Sequence, residues 1–145
     1  MQLNNIRQPP LAVTAEEYQV GKQWIIDLHT MYERNELHRL NEFAEDTATF
    51  RLCDLPVASG LSEKKRLLQW QIDSTSRLEH IVHSISVFPT QIIMDFDVVY
   101  HFQSGETETI PFITTVDKST QSTKSTGFVV SGDLSKLLAR VAAAK

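Results

Sequence analysis

At Arg77 the apolar residues of this chain change their spacing from every third or fourth position to every second one. Because side chains on one helix face recur at about 3.6 residues and those on one strand face at 2, the change marks a passage from helices into a sheet. The order of elements is therefore helices first, then strands, which is the signature of an α+β domain.

The helical half begins at Thr14. Thr14-Ala15-Glu16-Glu17 has the form of a capping box, and Trp24, Ile25, Leu28, Met31 and Tyr32 follow at helical spacing. A second short helix, with Asn35 placed to cap it, has Leu37, Leu40 and Phe43 or Ala44 on its inner side. The β-forming run from Thr47 to Cys53 reads as a strand, stopped by Asp54 and Pro56. Gly60 and Ser62 then open a third helix whose stripe is Leu61, Lys64 or Lys65, Leu68 and Ile72, with Trp70 beside it.

Four antiparallel strands are expected after that, over Arg77 to Phe88, Ile92 to Phe102, Thr107 to Asp117 and a last one through Phe128. In the second of these, Ile92, Met94, Phe96, Val98 and Tyr100 point one way, and Asp95, Asp97 and His101 point the other. Asp133 is placed to cap a closing helix carrying Leu134, Leu137, Leu138 and Val141. The first residues, 1–13, end in a stretch containing Pro9-Pro10 and have no periodic pattern, so they are expected to be a flexible arm or a surface strap. A single domain over 14–145 accounts for the rest, since 145 residues support one sizeable core.

Charge and cysteine content exclude several classes of function. A net charge of -4 with no long basic cluster gives no footprint for a nucleic-acid backbone. No segment approaches a membrane span and no signal sequence is visible, so a cytoplasmic protein is expected. One cysteine, Cys53, allows neither an internal disulfide nor a cysteine-rich metal site. No phosphate loop, nucleophile elbow or metal-ligand spacing is present, so neither a metal nor another cofactor is indicated.

The passage Leu37-His38-Arg39-Leu40-Asn41-Glu42-Phe43-Ala44-Glu45-Asp46 resembles the short helix, Phe-Ala-x-Asp turn and strand of the SnoaL-like branch of the nuclear transport factor two-like superfamily. Gly60 before a helix, Leu78-Glu79-His80-Ile81-Val82, Gly105 and Gly132-Asp133-Leu134-Ser135 fall where that family has its counterparts, so the resemblance spans about residues 14 to 138. It implies a cone-shaped fold, with N-terminal helices packed in the concave face of a strongly curved, mainly antiparallel sheet and a short C-terminal helix. It also implies a pocket for a small apolar or oxygenated metabolite, and a homodimer formed through the outer face of the sheet. Relatives on this fold include polyketide cyclases, isomerases, dehydratases and proteins that only bind or dimerise, so the fold alone leaves both kinds of function open.

Several residues are candidates for that pocket. His80 and His83 are three apart and in a regular strand point to opposite faces. Periodicity groups His83 with Ile81, Ile85 and Val87, whereas the resemblance places His80 in the pocket, where an imidazole suits proton transfer. His80 is preferred as the catalytic candidate. The resemblance adds Asp27 and Tyr32 of the first helix, in positions exchanged relative to the tyrosine and aspartate of dehydratase-like and isomerase-like relatives. Their structural alternative is a core tyrosine and a solvated aspartate. Trp24, Trp70, Tyr100 and Phe112 are large enough to line a ligand cavity, or simply to fill the core.

Overall fold

The computed structural model describes residues 1–4 and 13–143. The first helix, α1 (Ala15–Glu33), starts in the expected capping box: the Glu17 amide donates to Thr14 Oγ1 at 3.1 Å and the Thr14 amide donates to Glu17 Oε1 at 2.8 Å. Its inner face is Tyr18, Gly21, Ile25, Leu28, Met31 and Tyr32. Gly21 is required there by space, since a Cβ would come within 2.8 Å of a Val87 methyl group.

Asn35 does not cap the following helix as expected. It takes a left-handed conformation, φ 55°, which ends α1, and a 3-10 helix runs over Leu37–Glu42 without a side-chain cap. Strand β2 (Ala44–Leu52) and helix α2 (Leu61–Asp73) come next. The inward residues of α2 are Lys64, Leu68 and Gln71, two of them polar; Leu61 and Ile72 are only partly buried. The ammonium of Lys64 donates to the carbonyls of Glu45, Asp46 and Ala48 at 3.2, 3.3 and 2.7 Å. Those carbonyls lie where the pairing of β2 shifts register between Ala44 and Thr49, so the lysine completes an interrupted ladder.

Strands β3 (Arg77–Val87), β4 (Gln91–His101), β5 (Thr107–Asp117) and β6 (Ser125–Gly132) form the expected antiparallel run. Helix α3 (Ser135–Ala143) closes the chain, its Ser135 amide donating to Asp133 Oδ1 at 2.9 Å. No helix among the described residues is long and apolar enough to cross a membrane. The part of the N-terminal arm that is described is not free: Gln2–Leu3 form a short strand, β1, parallel to β3 opposite Ile81 and Val82. The remainder of that expected arm lies outside the described residues. The six strands lie in the order β1-β3-β4-β5-β6-β2, with the two edge strands parallel to their neighbours.

The pairing of β3 with β4 shifts register between Val82 and Ser84. This bulge dissolves the either/or choice between the two groups of β3 residues. Leu78, His80 and Val82 before it and Ile85 and Val87 after it are all buried on the same side, while His83 and Ser84 are exposed at the irregularity. A regular strand would have turned one of the two sets to solvent.

Candidate functional site

Between α1, α2 and the concave side of the sheet lies a cavity of about 60 Å³. Its wall is mostly apolar, with Phe96, Phe112 and Phe128 from the sheet and Leu28 and Leu68 from the helices. At about 10–15 Å³ for each water it holds roughly four to six water molecules.

His80 faces this cavity from β3 and is only 1% exposed. Its partner is Glu33, at the last turn of α1: Glu33 Oε1 accepts the His80 backbone amide at 2.6 Å and lies 2.9 Å from ring atom Nδ1. A carboxylate oxygen only accepts, so Nδ1 carries a hydrogen, and when the ring is neutral its lone pair is on Nε2. Among the described residues Nε2 has no hydrogen-bond partner. Burial works to raise the Glu33 pKa, but the ring and backbone hydrogen bonds from His80 outweigh it and hold the carboxyl below its ordinary value. The result is an imidazole with its tautomer fixed and its basic nitrogen free.

His29, one turn before Glu33 on α1, also lines the cavity. Its ring meets that of His80 edge-on at 4.8 Å and that of Phe96 at 5.3 Å. Its Nδ1 is 2.9 Å from the Ile25 carbonyl and therefore carries the hydrogen. Burial, then the neighbouring His80, pushes its pKa down to about 3, so this ring stays neutral at ordinary pH.

Tyr32 lies on the same side of α1, its ring centroid 5.8 Å from that of His80. Its hydroxyl is buried without a hydrogen-bond partner, and burial raises its pKa well above the ordinary value. Tyr100, by contrast, donates to Gln71 Oε1 at 2.9 Å. Lys64 contributes only its stem, since its ammonium is occupied by the three carbonyls.

The structure thus brings His80, Tyr32, Tyr100 and Phe112 to one cavity and leaves four candidates outside it. Asp27 is exposed and accepts from Gln23 Nε2 at 2.7 Å, one turn away on the solvent side of α1. Trp24 is half-buried: its Nε1 donates to the Thr123 carbonyl at 2.8 Å, and Lys118 sits 5.4 Å above its ring, so it fastens the β5–β6 connection. Trp70 lies half-buried on the flank of α2 and does not reach the cavity. His83 faces outward, 2.9 Å from Asp97.

Two residues of the site, Glu33 and His29, were not among the sequence candidates. The signal for them was present: His29, Tyr32 and Glu33 stand at i, i+3 and i+4, so they share a helix face. What the spacing could not supply was the partner, His80, forty-seven positions on from Glu33.

No family model and no curated protein matches the sequence. Solved structures do. A protein assigned as a polyketide cyclase from Bacillus cereus superposes with a TM-score of 0.74 at 10% identity, covering 94% of this chain and 89% of its own. One assigned as a SnoaL-like polyketide cyclase from Jannaschia gives 0.73 at 11% identity, covering 94% of this chain and 99% of its own. A nuclear transport factor two-like protein of unknown function from Burkholderia pseudomallei gives 0.71 at 9% identity, covering 83% and 95%. The chain has the cone fold of the nuclear transport factor two-like proteins. It is the form of that fold which the SnoaL-like polyketide cyclases share.

Proposed function

We propose that the cavity receives a small, neutral, oxygenated metabolite and that the chain is a cofactor-independent enzyme moving a proton on it, in an isomerisation, dehydration or cyclisation. The supporting observation is the arrangement of His80: an imidazole held by Glu33 through Nδ1, with Nε2 unpartnered, on a ring that lines an apolar cavity beside an unpartnered tyrosine hydroxyl. In this reading Nε2 takes a proton from the carbon next to a carbonyl group. Glu33 keeps the tautomer and steadies the imidazolium that forms. The Tyr32 hydroxyl donates to the carbonyl oxygen as negative charge gathers there, once the substrate has displaced the cavity water. A positioned base of this kind contributes about 10²–10⁴ to a rate.

Deuterium uptake tests the proposal without knowledge of the natural substrate. Cyclohex-2-enone incubated with the protein in deuterium oxide and followed by proton NMR is expected to lose its acidic C–H signals faster than in buffer, and His80→Gln to abolish the difference. Uptake that persists in His80→Gln removes the assignment.

The cavity volume favours a second reading. About 60 Å³ is well below the roughly 300–1,000 Å³ of common ligand pockets, as suits a binding or dimerisation module whose hollow is largely filled by side chains such as Tyr32 and Tyr100. Absence of both deuterium uptake and any thermal shift across a panel of small ketones and enones would support this reading over the first. A homodimer through the outer sheet face fits either one. Ile113 and Val129, 49% and 43% exposed on the neighbouring strands β5 and β6, supply apolar surface for it, and sedimentation of Ile113→Glu against the unaltered chain tests it.

A further inference from the structure

A count of the polar atoms around the cavity narrows what can bind there. Tyr100 is committed to Gln71, and the Thr114 hydroxyl donates to the Val129 carbonyl at 3.4 Å. The Lys64 ammonium is committed to three carbonyls, so it offers an anionic ligand no free countercharge. Four groups remain without a hydrogen-bond partner among the described residues: the Tyr32 hydroxyl, the Gln71 amide nitrogen and the Nε2 atoms of His80 and His29.

His29 differs from His80 in kind. Its Nδ1–H is fixed on a backbone carbonyl of its own helix, so ring flipping would break that bond. Its ring is enclosed by His80 and Phe96, and protonation is strongly disfavoured there. Nε2 is therefore an acceptor that cannot turn into a donor over the ordinary pH range. His29 is partly buried at the cavity, and among the described residues no donor reaches Nε2. A hydroxyl group of the ligand would.

We propose that His29 Nε2 is a fixed hydrogen-bond acceptor for the ligand, so that the cavity selects small neutral molecules bearing a hydroxyl group over isosteres without one. The inference rests on the reading of the cavity as a ligand site; it does not require that His80 move a proton.

Phenol and toluene are a suitable pair of probes, alike in shape and differing in hydroxyl against methyl. Titration of histidine-labelled protein, followed at the imidazole nitrogens by NMR, is expected to show phenol binding about tenfold more tightly than toluene. The His29 Nε2 resonance should move with phenol and not with toluene. His29→Phe should abolish the preference, and His29→Gln, whose amide oxygen again accepts, should restore part of it, which a packing role alone would not do. Equal affinities, no binding of phenol, or a preference that survives His29→Phe would overturn the proposal. Loss of deuterium uptake with the phenol preference intact would instead remove the catalytic reading and leave this one standing.

Discussion

Glu33 and His80 are joined twice, the backbone amide and ring Nδ1 of the histidine both meeting the same carboxylate oxygen at 2.6 and 2.9 Å. The last turn of α1 and the middle of β3 are thereby locked together at the cavity wall. Glu33→Gln keeps an acceptor but removes the charge and the preference for a proton on Nδ1, so deuterium uptake should fall by about 10²–10⁴. Stability should fall by about 1–2 kcal/mol at neutral pH. The folded pKa of Glu33 lies below its ordinary 4.5, so the native state takes up this proton later than the unfolded chain does. Its contribution is full above the unfolded value and is lost as pH falls through the folded one. Urea unfolding of the two proteins should therefore converge in acid; a gap independent of pH would contradict the pairing.

His29 has its own pH window. With its folded pKa pushed from 6.5 to about 3, the unfolded chain binds a proton in that interval and the native state does not. Stability should accordingly decline as pH falls from 6.5 towards 3, with this group contributing a slope of at most about 1.4 kcal/mol per pH unit. His29→Phe should flatten the decline across that window. An unchanged slope would show that the ring is protonated in the folded protein.

Where a pattern depends on one element alone, the sequence carried it. The alternation from Ile92 to Tyr100 gives the inner face of β4, and Thr14 to Glu17 gives the start of α1. Patterns set by two elements were out of reach. Nothing local says that Lys64 completes a broken ladder in β2, nor that His80 finds Glu33. Trp24 and Trp70 show the limit of reading size as cavity lining, since an indole is as well used at the edge of a core, with its N–H on a carbonyl, as inside it. The resemblance puts Asp27 in the pocket, but it lies on the solvent side of α1, whereas His29 and Tyr32 line the cavity and Glu33 reaches His80 beside it.

The bulge in β3 gives the sharpest structural test, because His83 is the residue it adds, and without it Val82 and Ile85 stand two apart. Removal of His83 should leave Leu78, His80, Val82, Ile85 and Val87 in strict alternation, with both groups still in the core. That deletion should still fold cooperatively, seen as a retained near-ultraviolet circular dichroism signal. His83→Ala should cost at most about 1 kcal/mol, because its pairing with Asp97 is exposed. A deletion variant that does not fold would mean that His83 is not the residue the irregularity adds.

The same substitution should act in opposite directions at two tyrosines of the cavity. Tyr100 donates to Gln71 inside the core, so Tyr100→Phe strands an amide oxygen and should lower stability by about 1–2 kcal/mol. Tyr32 buries a hydroxyl with no partner, and Tyr32→Phe removes a group whose burial is a cost, so stability should be unchanged or rise by up to about 1 kcal/mol. A hydroxyl kept at a cavity wall against the interest of stability is what a ligand-facing donor requires, and the exchange should lower deuterium uptake even as the protein melts no earlier. Thermal unfolding of the two variants side by side decides the matter: a large loss at Tyr32 would mean that the hydroxyl already has a structural partner and is not waiting for a ligand.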